Sequence, residues 1–172
     1  MAVSARPDES SVRYYLVDRI SQWEVNKSIR GVKNVSMTED FLQHHFPGRP
    51  TMPGVLLLES MAQLAGWLEA VSSDFTCWFL IEHVTSCKFY ELTGPGDQVE
   101  VVLDMVPAAE PDRRRYRGTG TVGGKRRVAA EFEGHVIPLA DIEAPSSQRR
   151  LFNVLTNAAT FSLGPSPNAA DR

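Results

Sequence analysis

The chain is poor in cysteine and in net charge. Only two of its 172 residues are cysteines, Cys77 and Cys87, which are too few for a disulfide framework or a four-ligand zinc site. They are expected to be ordinary reduced thiols of a cytoplasmic protein. The 21 acidic residues slightly outnumber the 18 lysines and arginines. This balance argues against a basic nucleic-acid footprint over the whole protein.

Long apolar runs are also missing. No stretch approaches the roughly 18–20 residues that a membrane-spanning helix needs, so no membrane span is predicted. Residues 1–11 lack the apolar core of a secretory signal peptide. They are polar and contain Pro7, which predicts a flexible leader. The length indicates one domain, with residues 12–140 as its body.

The hydrophobic residues, 42% of the chain, are arranged mainly as strands. Alternation of apolar and polar residues predicts strands, and the pair Gly123 and Gly124 predicts a hairpin turn. A second turn is predicted at Gly-Pro-Gly-Asp, residues 94–97. The predicted strands are 12–20 (a strand, or a short helix followed by one), 23–35 with a turn near Gly31, 79–90, 99–105, 116–122 and 128–136.

One strong helix is predicted from about Gly54 to Val71. It is apolar almost all the way round, which is typical of a buried helix. One buried helix and several long antiparallel strands predict an α+β fold in which a curved sheet wraps the helix. Residues 141–172 are predicted to be a C-terminal extension, with a linker over 144–147, a short helix over 148–160 and disorder from residue 162.

Three residues near the start of this helix suggest chemistry. Glu59 lies within the apolar helix, where burial would raise the pKa of its carboxyl and suit it to general acid catalysis. The alternative is a position on a solvent-facing stripe. His45 lies on a loop stiffened by prolines, and a histidine held in this way could serve as a general base. The alternative is a loop histidine that only hydrogen-bonds the backbone. Gly54 leaves free backbone N–H groups at the start of the helix, and these could bind a carbonyl oxygen. The alternative is that the helix start only needs a small residue.

The residues from His45 to Gln63 read H-F-P-G-R-P-T-M-P-G-V-L-L-L-E-S-M-A-Q. This stretch resembles the motif H-F-P-G-x-P-x-x-P-G-V-L-x-x-E-x-x-A-Q of the 3-hydroxyacyl-acyl carrier protein (ACP) dehydratases, and is most similar to the FabZ type. Weaker similarity at residues 34–36 and 95–98 extends the resemblance over roughly residues 12–137. The resemblance implies a hot-dog fold, a long helix wrapped by an antiparallel sheet.

The resemblance also implies a reaction, the dehydration of (3R)-3-hydroxyacyl-ACP to trans-2-enoyl-ACP in fatty-acid or related lipid biosynthesis. His45 would remove the C2 proton, Glu59 would protonate the departing hydroxyl, and the Gly54 N–H would polarise the thioester carbonyl. Gln63 would orient Glu59. No cofactor or metal is implied, and no third ligand stands near His44 and His45. The resemblance further implies a homodimer, or a trimer of dimers, whose sites combine His45 and Glu59 of different chains.

Two positions bear on the type of reaction. The FabA type, which also isomerises the double bond, has Asp where this chain has Glu59, so dehydration alone is favoured. His44 stands where the FabZ type usually has Gly, which leaves substrate choice open. The alternatives are a specialised dehydratase of a polyketide-like pathway, a hot-dog thioesterase or hydratase, and a protein that only binds acyl-ACP.

Two further sets of residues are expected to meet the substrate and its carrier. An apolar tunnel for the acyl chain is predicted among residues that are equally plausible as plain core: Leu58, Met61, Ala62, Phe79, Leu80 and Phe89. ACP is acidic, so a basic rim would favour its encounter with the enzyme. The candidates for that rim are Arg49, Arg113, Arg114, Lys125 and Arg126.

Overall fold

The computed structural model describes residues 14–110 and 113–157. Its six strands are β1 Arg19–Glu24, β2 Ser28–Asn34, β3 Cys77–Phe89, β4 Gln98–Val106, β5 Arg113–Val122 and β6 Lys125–Pro138. The helices are α1 Gly54–Ser72 and α2 Pro145–Leu155, with short 3-10 helices at Asp40–Gln43 and Leu139–Asp141. The predicted leader and the predicted disorder from residue 162 lie outside the described residues.

The strands form one antiparallel sheet in the order β1-β2-β4-β5-β6-β3. Gly123 and Gly124 join β5 to β6 with φ angles of 55° and 76°, and a tight hairpin turn needs positive φ at both positions. Two register shifts in the pairing of β3 with β6 are irregularities of the kind that bend a strand. The sheet curves, and its two edges are β1 and β3.

Helix α1 provides the core of the molecule and contacts strands β2 to β6. Its apolar residues are buried against inward-facing residues of those strands, and each such side chain stabilises the fold by roughly 1.5–3 kcal/mol. The buried set includes Leu57, Met61, Leu64 and Leu68 of α1 and Ile29, Val101, Leu103, Tyr116 and Phe132 of the sheet. This arrangement confirms the predicted hot-dog fold.

A buried polar cluster ties α1 to β5. The Tyr116 hydroxyl donates a 2.5 Å hydrogen bond to Oε1 of Glu69, and Nε of Arg114 lies 3.1 Å from the same oxygen. Desolvation, followed by the charge of Glu69, raises the pKa of Tyr116 far above its ordinary value. The hydroxyl therefore remains a hydrogen-bond donor, and the carboxylate of Glu69 is satisfied although it is buried.

The prediction of a turn near Gly31 is wrong. Residues 25–27 form the turn, and Gly31 lies within β2. A Cβ at Gly31 would come 2.8 Å from Cδ2 of Leu64. The glycine therefore allows α1 to approach the sheet closely, a role that leaves no local signal distinguishing it from a turn glycine.

The expectation that no segment is long and apolar enough to span a membrane is not confirmed. Helix α1 has 19 residues and a mean hydropathy of 1.2, which satisfies such a test by length and composition. The core helix of a soluble protein passes the same test, and 56% of this segment is buried inside the fold.

The C-terminal extension is more ordered at its start than predicted. The segment expected to be a linker forms the first turn of α2, with Pro145 at a position where its missing N–H costs little. Phe152 and Leu155 are buried, and the Phe152 ring lies 5.8 Å from that of Trp67 and 5.1 Å from that of Trp23. The apolar face of α2 therefore packs on the domain.

Candidate active site

His45 lies in a tightly bonded loop between the first 3-10 helix and α1. The carbonyl of His45 accepts a 2.7 Å hydrogen bond from the Thr51 N–H. Phe46 and Arg49 exchange two backbone hydrogen bonds of 3.2 and 3.0 Å, and Gly48 between them has a φ of 76°. The prolines and these bonds order the loop, which gives His45 a defined place.

The His45 ring is held in one tautomer by its surroundings. Its Nδ1 lies 2.9 Å from the carbonyl oxygen of Thr51. A carbonyl can only accept, so Nδ1 carries the hydrogen and Nε2 keeps its lone pair. The ring is half-buried and lies against that of Phe46, whereas the neighbouring His44 is exposed. His45 can therefore accept a proton at Nε2.

Gly54 begins α1 beside this loop. The preceding Pro53 provides no side-chain cap, and the first amides of a helix have no partner within it. A Cβ at Gly54 would come 2.8 Å from Cδ1 of Phe89, so a larger residue there would displace that ring. His45, Gly54 and Phe89 line a common cavity of about 300 Å³. A carbonyl oxygen in it would meet the positive end of the helix.

Glu59 lies on the outer face of α1 and is exposed in the single chain, which agrees with the solvent-facing one of the two alternatives. Gln63 contacts it as expected, because its Nε2 donates a 3.1 Å hydrogen bond to Oε1 of Glu59. The Gln63 amide is fixed in turn by the backbone of Tyr14 and Leu16, at 3.0 and 2.9 Å. These bonds set the direction of the Glu59 carboxylate.

His45 and Glu59 line different cavities of the chain. Glu59 borders a cavity of about 200 Å³ between α1 and β3, and also a second, larger one of about 380 Å³. The larger cavity is also lined by residues that no local sequence pattern pointed to: Tyr14, Tyr15, Trp67, Trp78, Ile142 and Gln148. These residues are far apart in sequence, so only folding brings them together.

The residues predicted for the acyl tunnel fall into separate places. Met61 and Phe79 are core residues, and the Phe79 ring packs on those of Tyr116 and Phe132. Leu58 and Ala62 line the smaller cavity at Glu59. Phe89 lines the cavity of His45, and Leu80 is exposed. One continuous tunnel through this set stays a prediction.

The candidate basic residues differ in how far their charge is already neutralised. Arg113 pairs with Glu82 at 2.7 Å and Glu110 at 2.9 Å, and Arg114 with buried Glu69. Arg49, Lys125 and Arg126 are exposed, and no acidic residue of 14–110 or 113–157 forms an ion pair with them. Arg126 lies over the ring of Tyr90, 5.3 Å from its centroid.

A metal site is not evident in the described part of the chain. There, no three His, Cys, Asp or Glu side chains cluster as metal ligands would. Cys77 and Cys87, both in β3, are free, and burial raises the pKa of the Cys87 thiol. That the chain acts without metal or cofactor stays a prediction.

Comparison with solved structures supports the architecture. The dehydratase heterocomplex ApeI:P from Xenorhabdus doucetiae is 15% identical, with a TM-score of 0.52 over 66% of this chain and 92% of that one. The fluoroacetyl-CoA thioesterase FlK is 16% identical, with a TM-score of 0.55 over 76% and 98% of the two chains. At these identities the likeness shows the fold alone.

Sequence comparison is more specific. The FabA-like domain family matches residues 10–133. The 3-hydroxyacyl-(acyl-carrier-protein) dehydratase FabZ of Aliarcobacter butzleri is 41% identical over 71% of this chain and 86% of its own length. The protein of that name from a Ruegeria species is 35% identical over 69% and 77%. The chain therefore belongs to the FabA-like family that includes the FabZ 3-hydroxyacyl-ACP dehydratases.

Proposed function

We propose that the chain dehydrates (3R)-3-hydroxyacyl-ACP to trans-2-enoyl-ACP in fatty-acid or related lipid biosynthesis. The observation that carries this proposal is the hydrogen bond from Nδ1 of His45 to the Thr51 carbonyl, which leaves Nε2 free to act as a base, on a residue that lines a cavity with Gly54. Membership of the FabA-like family and the names of the FabZ relatives support the same reaction.

The proposed mechanism assigns one proton transfer to each side chain. His45 takes the C2 proton at Nε2, the C2 electron pair forms the new double bond, and the bond from C3 to the hydroxyl oxygen breaks. Glu59 gives its proton to that oxygen, so water leaves. The Gly54 N–H donates to the thioester carbonyl oxygen and stabilises the negative charge that develops there.

We further propose that two copies of the chain complete each site. His45 and Glu59 line different cavities, and the second copy would bring its Glu59 to His45 of the first. Strand β3 is a sheet edge of 13 residues on which Leu80 and Val84 are exposed. Such an edge can pair with another strand, so we place the dimer contact there. Whether three dimers associate stays a prediction, as does a cytoplasmic location.

The carrier would meet the rim of the cavity that holds His45. Arg49 lies in the loop of His45 and also lines a neighbouring cavity with Tyr90 and Arg127. Its charge is exposed, as are those of Lys125 and Arg126. These three cations are therefore better placed than Arg113 and Arg114 to attract an acidic ACP.

Single substitutions test the chemistry, with His44 as a matched control. We expect His45→Ala and Glu59→Gln each to reduce formation of the enoyl thioester by about 10³-fold or more, because each removes one proton transfer. His44→Ala changes a histidine one residue away and should retain most of the activity. The measurement is absorbance of the conjugated enoyl thioester, with circular dichroism to check folding.

Release of free thiol by the wild-type protein, without enoyl absorbance, would contradict dehydration and favour a thioesterase. Turnover by His45→Ala at the rate of the wild type would contradict the assigned base.

Mixing the two inactive variants tests the shared site. If His45→Ala and Glu59→Gln subunits exchange freely, about half of the dimers are mixed, and each mixed dimer has one site with both residues intact. We expect about a quarter of the wild-type activity to return after the chains are unfolded and refolded together. No recovery, with mixed dimers demonstrated by mass spectrometry, would contradict a site built from two chains.

A further inference from the structure

We propose that the acyl chain beyond C3 lies in the groove between α1 and β3, and that Trp78 closes this groove and limits the length of chain that the protein accepts. Trp78 would thus determine specificity without touching the reacting atoms. This inference rests on the proposed dehydration by two copies, because it takes the position of C3 from Glu59 of one copy and that of the thioester from Gly54 of the other.

An aromatic ring lies over a glycine at each end of the groove between α1 and β3. At one end Phe89 lies over Gly54, where a Cβ would come 2.8 Å from Cδ1 of the ring. At the other end Trp78 lies so close over Gly66 that a Cβ there would clash with its ring. The helix and the strand therefore run antiparallel, and the groove between the two rings spans roughly 18 Å along the helix axis.

A cavity of about 200 Å³ lies in this groove and borders Glu59. Its apolar lining comes from both elements: Val55, Leu58 and Ala62 of α1, and Ile81 and Val84 of β3. Glu82 also borders it, but the carboxylate of Glu82 pairs with Arg113 at 2.7 Å and with Nδ1 of His135 at 3.1 Å. Beyond Glu59, the groove is therefore suited to a hydrocarbon chain.

The second cavity at Glu59 suits a hydrocarbon chain less well. Its lining includes the polar side chains of Gln63, Glu143 and Gln148. An alkyl chain there would take water away from polar groups and give them no hydrogen bond in return, which is unfavourable. We therefore place the chain in the groove, on the β3 side of Glu59.

The proposed two-chain site sets the direction in which the acyl chain runs. In that site the thioester lies at Gly54 of the second copy, and the C3 hydroxyl lies at Glu59 of the first. By two-fold symmetry, Gly54 of the first copy holds the thioester of the other site. The end of the groove beneath Phe89 is therefore occupied, and the carbons beyond C3 run from Glu59 toward Trp78.

The separation of Glu59 from the Trp78 ring gives the length limit. Gly66 lies seven residues beyond Glu59, which corresponds to about 10 Å along the helix axis. An extended chain advances roughly 1.2 Å per bond, so about eight or nine bonds beyond C3 cover this distance. An acyl chain of about 11 or 12 carbons therefore reaches the ring of Trp78.

The packing of Trp78 makes it a firm stop. Its ring meets that of Trp67 edge to face, with centroids 5.1 Å apart, and Trp67 is almost fully buried. The other face of the space that the ring occupies is the backbone of α1 at Gly66. A longer acyl chain would have to displace a close-packed ring, which is unfavourable.

The test measures kcat/KM for 3-hydroxyacyl-ACP substrates that differ only in chain length. We expect the wild-type protein to use the 3-hydroxydecanoyl substrate about tenfold better than the 3-hydroxyhexadecanoyl substrate. Trp78→Ala opens the end of the groove, so it should raise the ratio of the longer to the shorter substrate by about tenfold. Trp78→Leu provides a second variant if Trp78→Ala does not fold.

Two further variants separate the groove from the second cavity, because Trp78 also lines that cavity. Ile81→Phe narrows the groove, so it should lower kcat/KM for the 3-hydroxydecanoyl substrate about tenfold more than for the 3-hydroxybutyryl substrate. Ile142→Ala widens the second cavity and should keep the length profile of the wild type. Light scattering would check that each variant remains in the assembly state of the wild type.

Three results would overturn the inference. The first is equal kcat/KM for the two long substrates in the wild type, and the second is an unchanged length profile in a folded Trp78→Ala. The third is a length profile that changes in Ile142→Ala but not in Ile81→Phe, which would place the chain in the second cavity. The 3-hydroxybutyryl substrate ends one carbon beyond C3, so failure of the wild type on that substrate would contradict the proposed function instead.

Discussion

At the scale of single residues, backbone neighbours determine what each functional side chain can do. The proposed role of His45 as a base at Nε2 depends on the Thr51 carbonyl, which occupies Nδ1. Gln63 holds Glu59 because its own amide is bonded to the backbone of Tyr14 and Leu16. The residue types were predictable from the motif, but these partners follow from the path of the chain around them.

Two buried threonines near His45 allow a matched test of hydroxyl pairing. Thr93 and Thr51 are each 2% exposed. The Thr51 hydroxyl donates a 3.0 Å hydrogen bond to the Arg49 carbonyl, whereas that of Thr93 has no partner among the described residues. We expect Thr93→Val to raise the free energy of unfolding by about 1 kcal/mol and Thr51→Val to lower it by a similar amount. Denaturant unfolding measures both.

A loss of stability in Thr93→Val as large as that in Thr51→Val would show that the Thr93 hydroxyl is satisfied in solution, and would contradict this prediction.

At the scale of secondary structure, the period of the apolar pattern was the most reliable guide. It predicted α1 to within one residue of its end, and it predicted β3, β4, β5 and β6 to within about three residues at each end. It placed the first strand too early, at 12–20, and the turn too late, because Gly31 looks like a turn residue and only the approach of Leu64 shows otherwise. Pro145 likewise suggested a linker, although proline is also common in the first turn of a helix.

Strands β5 and β6 are joined by an ion-pair cluster that predicts a pH dependence of stability. Glu131 of β6 pairs with Arg115 and with Nε of Arg117 at 3.0 Å. The hydrogen bond from Arg117, followed by the charges of both arginines, lowers the pKa of Glu131. A carboxyl whose pKa is lower in the folded chain stabilises it above the unfolded pKa, and this contribution is lost as pH falls through the folded pKa.

We therefore expect Glu131→Gln to be less stable than the wild type at pH 7, with the difference shrinking as pH falls below about 4. Urea unfolding over a pH series measures this. Glu100→Gln, an exposed change on β4, should follow the wild-type curve at each pH. A stability difference for Glu131→Gln that stays constant from pH 7 to the acid limit would contradict the assignment.

At the scale of the whole molecule, the exposed edge of β3 is where we propose that the second copy pairs and completes the site. Val84 is 39% exposed on that edge and lines a cavity with Glu59. We expect Val84→Glu to dissociate the dimer and to abolish activity, because two like charges would meet where two copies pair. Light scattering and circular dichroism would measure the mass and the folding of each protein.

Val154 provides the control, because it is a 63% exposed valine on α2. Val154→Glu should remain dimeric and active. A monomeric Val84→Glu protein that keeps full activity would contradict the two-chain site. A Val84→Glu protein that stays dimeric would show that the interface does not include this part of β3.

The sequence by itself determined the fold class and the long apolar helix, because both follow from local periodicity. It also identified the candidate site residues between His45 and Gln63, because they belong to one contiguous motif. Only the tertiary structure decided that Glu59 faces outward, that His45 and Glu59 line different cavities, and that Gln148 reaches the cavity of Glu59. The physical reason is that the burial of a side chain and its contacts depend on segments that are far apart in the chain. Residue 148 lies 89 positions beyond residue 59, and no local sequence pattern indicates that the two are close in space.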